Sequence, residues 1–152
     1  MIEEACKIVP KREIYEETGI QFMKFNTLYQ LLAMKLGNSP VLEKAKTMLL
    51  MPDLFNYFLT GEKLSEYTIA STTQMMNPRA GNWAGTLIDR MGIPRNILTD
   101  IIDAGTVIGR INKNMKEELN MGDVPVIAVA EHDTGSAVVS VPASGDKFAY
   151  LS

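Results

Sequence analysis

The chain has 152 residues, 46% hydrophobic and 22% charged, with a mean hydropathy of zero. This is the make-up of an ordinary globular domain, and a chain of this size buries roughly 70% of the surface it exposes when unfolded. A single cysteine, Cys6, excludes an internal disulfide framework and any multi-cysteine zinc site and fits a reducing cytoplasm; the lone His132 leaves little other metal chemistry. Fifteen basic against eighteen acidic residues, a net charge of -3, lack the basic excess of a nucleic-acid binder.

No apolar run approaches the ~18 to 20 residues of a membrane-spanning helix. The opening Met1-Ile2-Glu3-Glu4-Ala5-Cys6-Lys7 has no apolar core of a secretory signal. The expectation is a cytoplasmic protein with neither nucleic acid nor membrane as partner.

The first half reads helical. Asn26 and Thr27 can cap a helix whose apolar positions Leu28, Leu31, Leu32 and Leu36 recur at helical spacing, with Gly37 just past its end. Pro40 opens a helix through Val41, Leu42 and Ala45. Pro52 opens another over Asp53 to Leu59, closed by Thr60-Gly61. Asp53 sits in its first turn, where a carboxylate is favoured by free amides and the helix dipole, so its reading is structural.

Ser65 to Pro78, rich in Ser, Thr and Met, has no clear period and reads as an irregular connection. Asn82 to Met91 recovers helical spacing through Trp83, Leu87, Ile88 and Met91. Gly81 and Gly85 form a Gly-x-x-x-Gly that reads as close helix packing, and Met75 and Met76 as core filler. Val107 to Ile111 is a short strand and Lys113 to Leu119 a polar helix whose Lys113 and Lys116, paired with Glu117 and Glu118, make a solvated face. The β-branched run Val124 to Ala130 reads as a strand buried on both faces, followed by a helix over Thr134 to Val141. Phe148 to Ser152 is a last strand, whose open edge predicts self-association. Three strands at most are fewer than a sheet usually has, so the sequence reads as part of something larger.

One junction carries candidate chemistry. The run 124–130 delivers Glu131, His132 and Asp133 at its carboxyl end, just before Thr134-Gly135-Ser136 starts a helix. In open α/β sheets ligands bind at such strand ends, and helix amides there favour anions. These side chains could be a general base with hydrogen-bond donors, or Asp133 could simply cap the helix. No Gly-x-x-x-x-Gly-Lys-Ser/Thr loop, Gly-x-Gly-x-x-Gly or Gly-x-Ser-x-Gly occurs, so neither of the two familiar nucleotide-holding loops is present.

Four ordered segments carry a family resemblance. Glu131-His132-Asp133-Thr134-Gly135-Ser136-Ala137-Val138 resembles the His-Asp-Thr-Ala-Ser-Ala-Val segment of rhamnulokinases, a group within the FGGY carbohydrate kinases. Phe22 to Leu31 resembles the family's Phe-x-x-x-Asn-Thr-x-Tyr-Gln-Leu helix, Met51 to Gly61 its Pro-Asp-x-x-x-x-x-Leu-Thr-Gly, and Glu66 to Met75 its Ala-Ser-Thr-Thr-Gln segment. Phe148 to Ser152 is similar to the strand leading into its Ser-Ser-Gly-Thr-Trp motif. The likeness runs from about Tyr15 onward.

The resemblance implies an α/β fold, a helix-rich fragment of a ribonuclease-H-like, actin-like ATPase domain with a few strands. Residues 1–152 would form the later part of the sugar-binding N-terminal domain; the N-terminal hairpin with its Asp-x-Gly phosphate contact and the ATP-binding C-terminal domain would lie outside the chain. The implied activity is transfer of the γ-phosphate of ATP, with Mg²⁺, to a sugar hydroxyl, as in L-rhamnulose to L-rhamnulose 1-phosphate. Fuculose or xylulose kinases are the rival within the family, and a non-enzymatic ligand-binding domain the rival outside it. The chain by itself is expected to be inactive and to bind no ATP. Asp133 would be the catalytic base, with His132, Asp133 and Thr134 contacting the sugar. Two departures stand out: Gly135 where alanine is usual, and Glu131, beside the base, where a small residue is commoner. Glu131 could raise the pKa of Asp133 or face solvent.

Overall fold

The computed structural model describes residues 1–145 and 147–151. Two short helices, α1 (Ile2–Ile8) and α2 (Lys11–Thr18), precede the first helix singled out in the sequence. The pairs Glu4–Lys7 and Arg12–Glu16 along their faces, Pro10 ahead of α2 and Gly19 in the left-handed conformation behind it are the local signals for both.

Helix α3 (Thr27–Leu36) buries Leu28, Leu31 and Leu32 of its predicted apolar stripe together with Tyr29, while Leu36, in its last turn, is exposed. The buried residues meet Ala5 of α1, Val9 just behind it, Ile14 of α2, and Leu42 from α4 (Pro40–Lys44) in the main core. Asn26 does stand at the cap position of α3, but its side chain makes no cap bond. Its amide instead donates to the Gln21 carbonyl at 2.9 Å and to Gln74 Oε1 at 3.1 Å.

Helix α5 (Met51–Thr60) ends at Gly61, whose φ of +84° is the left-handed cap expected of Thr60-Gly61. The stretch read as an irregular connection is ordered: β1 (Ser65–Glu66), α6 (Tyr67–Ser71) and β2 (Met76–Asn77) follow one another. Strands of two residues are too short to display a period, which is why the pattern hid them. The segment predicted as a helix from Asn82 begins with β3 (Asn82–Trp83), antiparallel to β2, and turns helical only at α7 (Gly85–Arg90). Gly81 therefore lies in a turn, with φ of +62°, and shares no helix with Gly85. Met75 and Met76 are fully buried, as expected of core filler.

After a 3₁₀ turn at Arg95–Ile97, β4 (Ile101–Ile102) pairs in parallel with β1, placing Ser65 opposite Ile101 and Glu66 opposite Ile102. Strand β5 (Val107–Arg110) and helix α8 (Lys113–Leu119) fall where predicted. On α8, Lys113 pairs with Glu117, whereas Lys116 reaches Asp123 rather than a neighbouring glutamate. Strand β6 (Pro125–Ile127) runs antiparallel to β5, and α5 packs against both. Gly109 lets β5 lie against the end of α5, since a Cβ there would stand 3.4 Å from Thr60 and Glu62.

The run Val124 to Ala130 is not buried on both faces. Among the described residues β6 has β5 as its one strand neighbour, so Ile127 and Val129 remain 50% and 63% exposed while Ala128 is buried. Helix α9 (Asp133–Val139) follows. Phe148 to Leu151 belongs to no strand, so the edge strand expected there is not formed; Ser152 lies outside the described residues. Among the described residues no helix is long and apolar enough to cross a membrane.

Candidate functional site

The site is built where β6 hands over to α9. The chain leaves β6 through Ala128, buried beneath the strand, and reaches Glu131, His132 and Asp133 in three residues. Two backbone hydrogen bonds fix this segment from a distant part of the sequence. The Glu131 N–H donates to Glu66 Oε2 at 3.1 Å, and the His132 N–H donates to Thr68 Oγ1 at 3.1 Å. Glu66 stands at the cap of α6, where the same Oε2 accepts from the Ile69 N–H at 3.1 Å and from the Thr68 hydroxyl at 2.5 Å. One buried carboxylate oxygen thus orders both the start of α6 and the segment carrying the candidate base.

Asp133 is the first residue of α9 and its side chain is 97% exposed. The cap position belongs to His132, and among the described residues Asp133 Oδ1 accepts only from the neighbouring Thr134, by its N–H at 2.7 Å and its hydroxyl at 3.4 Å. Asp133 is therefore not the helix cap that its place before Thr-Gly-Ser suggested. His132 is half-buried, with Nε2 3.7 Å from Asp133 Oδ1. Thr134 is exposed on the first turn beside them. His132, Asp133 and Thr134 thus form one exposed polar corner, with Asp133 Oδ2 free of hydrogen bonds among the described residues.

Glu131 does not face solvent. Its Oε1 accepts from the Asn56 amide of α5, and its carboxyl neighbours that of Asp53, one turn earlier on α5. Asp53, buried to 2% exposure, accepts the Glu66 N–H at 3.0 Å through Oδ1. Its carboxylate thus answers an amide of β1 rather than its own helix alone. Burial raises the Asp53 carboxyl above its ordinary range, opposed by that amide. Burial first, and then the neighbouring Asp53, push Glu131 up to about 8. Sequence reasoning singled out Glu131 but missed Asn56 and Glu66 as its partners and Thr68 as the partner of His132. Gly135 is placed so that a Cβ would meet Ala130 and Thr68 at 3.6 and 3.9 Å, ordinary contact distances, so the alanine usual in the family fits the space.

The chain matches the model of the N-terminal domain of the FGGY family of carbohydrate kinases over residues 2–140. It is 47% identical over 142 residues to the rhamnulokinase of Oceanobacillus iheyensis, covering 93% of this chain and 30% of that protein. Against the rhamnulokinase of Halalkalibacterium halodurans it is 41% identical over all 152 residues, 32% of that protein. The chain thus spans about a third of the length of the curated relatives it matches. Among solved structures, the xylulose kinase from Rhodospirillum rubrum superposes with a TM-score of 0.80 at 18% identity, over 90% of this chain and 28% of that one. Ligand-bound xylulose kinase from Lactobacillus acidophilus gives 0.79 at 22%, over 92% and 29%. These likenesses establish the fold as a helix-rich fragment of the actin-like architecture of sugar kinases. With its ordered motifs, its fold and a family match across 2–140 in agreement, the chain belongs to the FGGY family of carbohydrate kinases, as part of the N-terminal domain.

Proposed function

We propose that the chain is the later, sugar-binding part of the N-terminal domain of a cytoplasmic ATP-dependent sugar kinase that converts L-rhamnulose to L-rhamnulose 1-phosphate. The observation that carries the reading is the exposed Asp133 carboxylate, set at the tip of a segment whose backbone is pinned by Glu66 and Thr68. A sugar hydroxyl is a poor nucleophile; a carboxylate within hydrogen-bonding reach accepts its proton as the oxygen attacks the γ-phosphorus of ATP in line. Asp133 Oδ1 is occupied by the Thr134 N–H, which leaves Oδ2 to take that proton. His132 and Thr134 flank the carboxylate and offer an imidazole and a hydroxyl to neighbouring sugar hydroxyls.

ATP and Mg²⁺ supply the phosphoryl group and the charge that steadies it during transfer. Among the described residues no group of three or more His, Cys, Asp or Glu side chains is arranged to grip a metal, and the sequence has no Gly-x-x-x-x-Gly-Lys-Ser/Thr loop. The steps assigned to the residues of this corner are sugar binding and proton removal.

The rhamnulokinase names of the relatives at 40 to 47% identity support L-rhamnulose as the sugar. The test is to assay the full-length protein containing these residues with ATP against L-rhamnulose, L-fuculose and D-xylulose. A kcat/KM for L-rhamnulose at least about tenfold above the others is expected. Preference for another ketose would overturn the sugar assignment, and no turnover on any of them would overturn the kinase reading.

A further inference from the structure

We propose that Glu131 is a positioning residue whose carboxyl shares one proton with Asp53 and so clasps the segment presenting Asp133 onto helix α5. Asp53 Oδ2 and Glu131 Oε2 are both buried and have no ordinary donor. An ionised carboxylate only accepts, so two ionised acids here would leave two orphaned oxygens and two repelling charges. One proton held between them satisfies both oxygens and removes one charge. The remaining oxygens already have donors, Asp53 Oδ1 from the Glu66 N–H and Glu131 Oε1 from Asn56.

The surrounding groups make that proton necessary. From β1, the Glu66 carboxylate adds a third negative charge close to Glu131, and its Oε1 is also buried without a donor. His132 and Asp133 follow Glu131 on its own segment, and Thr68 of α6 is neutral, donating to Glu66 and accepting from the His132 N–H. Among the described residues no ion pair reaches Asp53, Glu66 or Glu131, so no lysine or arginine replaces the proton. The direction of the Glu131 titration, up to about 8, agrees with a proton retained at neutral pH.

The clasp has a mechanical consequence. The two backbone bonds to Glu66 and Thr68 hold residues 131 and 132 against β1 and α6, and the Glu131 carboxyl is the tie to α5. When the proton leaves, Glu131 and Asp53 repel, and the segment loses its tie on that side. The effect on turnover rests on Asp133 being the base, whereas the shared proton does not.

The test uses the full-length protein with Glu131→Gln and Glu131→Ala, followed by kcat, KM and melting temperature from about pH 6 to about pH 9. Glutamine can donate to Asp53 and accept from Asn56 with no proton to lose. It is expected to hold kcat within about twofold of the parent at pH 7, and to abolish both the parent's fall in kcat near pH 8 and its decline in melting temperature from pH 6 toward about pH 8. Alanine is expected to lower kcat about tenfold while KM for the sugar moves less than about threefold, because the base is displaced while the sugar contacts remain. The same pH dependence of melting in the parent and in Glu131→Gln would overturn the shared proton, whatever the activity. Unaltered kcat in Glu131→Ala would overturn the positioning role. A parent without kinase activity that still shows the melting difference would defeat the function proposed above and the positioning role, and would leave the shared proton supported.

Discussion

The Glu66 carboxylate and the Glu131 N–H meet at 3.1 Å although 65 positions separate them in the chain. The same Oε2 accepts from Thr68 and Ile69, so one oxygen serves three donors. Replacing Glu66 with alanine orphans all three and should cost about 2 to 4 kcal/mol of stability. Glutamine keeps one acceptor oxygen and should cost about half as much. Urea denaturation of the two variants checks this, and an alanine variant as stable as the parent would show the three bonds to be idle.

Asn26 offers a test of cap against tether. As a helix cap, aspartate would be as good as asparagine. As a buried donor to the Gln21 carbonyl and Gln74 Oε1, it cannot be replaced by aspartate, which donates nothing when ionised. Asn26→Asp should therefore lose about 1 to 3 kcal/mol, read by chemical denaturation. A neutral or stabilising result would restore the cap.

Gly135 lies inside α9, and a Cβ added there meets only ordinary contacts. Gly135→Ala should raise stability by about 0.5 to 1 kcal/mol through the cost glycine carries in a helix interior. A drop in melting temperature on making this change would mean that the segment against Thr68 and Ala130 is tighter than it looks.

The Asp53–Glu131 pair makes stability depend on pH with a definite sign. Glu131 ionises near its ordinary 4.5 in the unfolded chain and at about 8 when folded, and Asp53 is raised as well. Between those values the folded chain holds a proton that the unfolded chain has released, so stability is whole below about 4.5 and falls as pH rises toward about 8. Asp53→Asn keeps an acceptor for the Glu66 N–H and can donate to Glu131. It should flatten this slope and gain stability over the parent at pH 8, measured by unfolding at several pH values. A slope unchanged from the parent would place the titration elsewhere.

What the sequence disclosed follows from the range of the forces involved. Helices α3 and α8 and strand β5 were legible because each is a local run with a recognisable residue pattern, α3 with Gly37 behind it as a breaker. The exposure of Ile127 and Val129 was not, because a β-branched run signals a strand but says nothing of how many neighbours it finds. The corner His132-Asp133-Thr134 could be read because it is contiguous. Its support could not, because Asp53, Asn56, Glu66 and Thr68 reach it only through the packing of α5, β1 and α6. The inward turn of Glu131 was hidden for the same reason: Asn56 is 75 positions away.

The central claim is that Asp133 takes the proton from the sugar hydroxyl, and the most direct measurement is the turnover of Asp133→Asn in the full-length protein with ATP and L-rhamnulose. Asparagine keeps the oxygen that meets the Thr134 N–H and leaves the cap position at His132 untouched, so folding should be unchanged. Removal of the basicity should lower kcat by about 10² to 10⁴-fold with little change in KM for the sugar. A variant that folds and turns over at a rate near the parent's would contradict the account and leave the junction as the start of a helix.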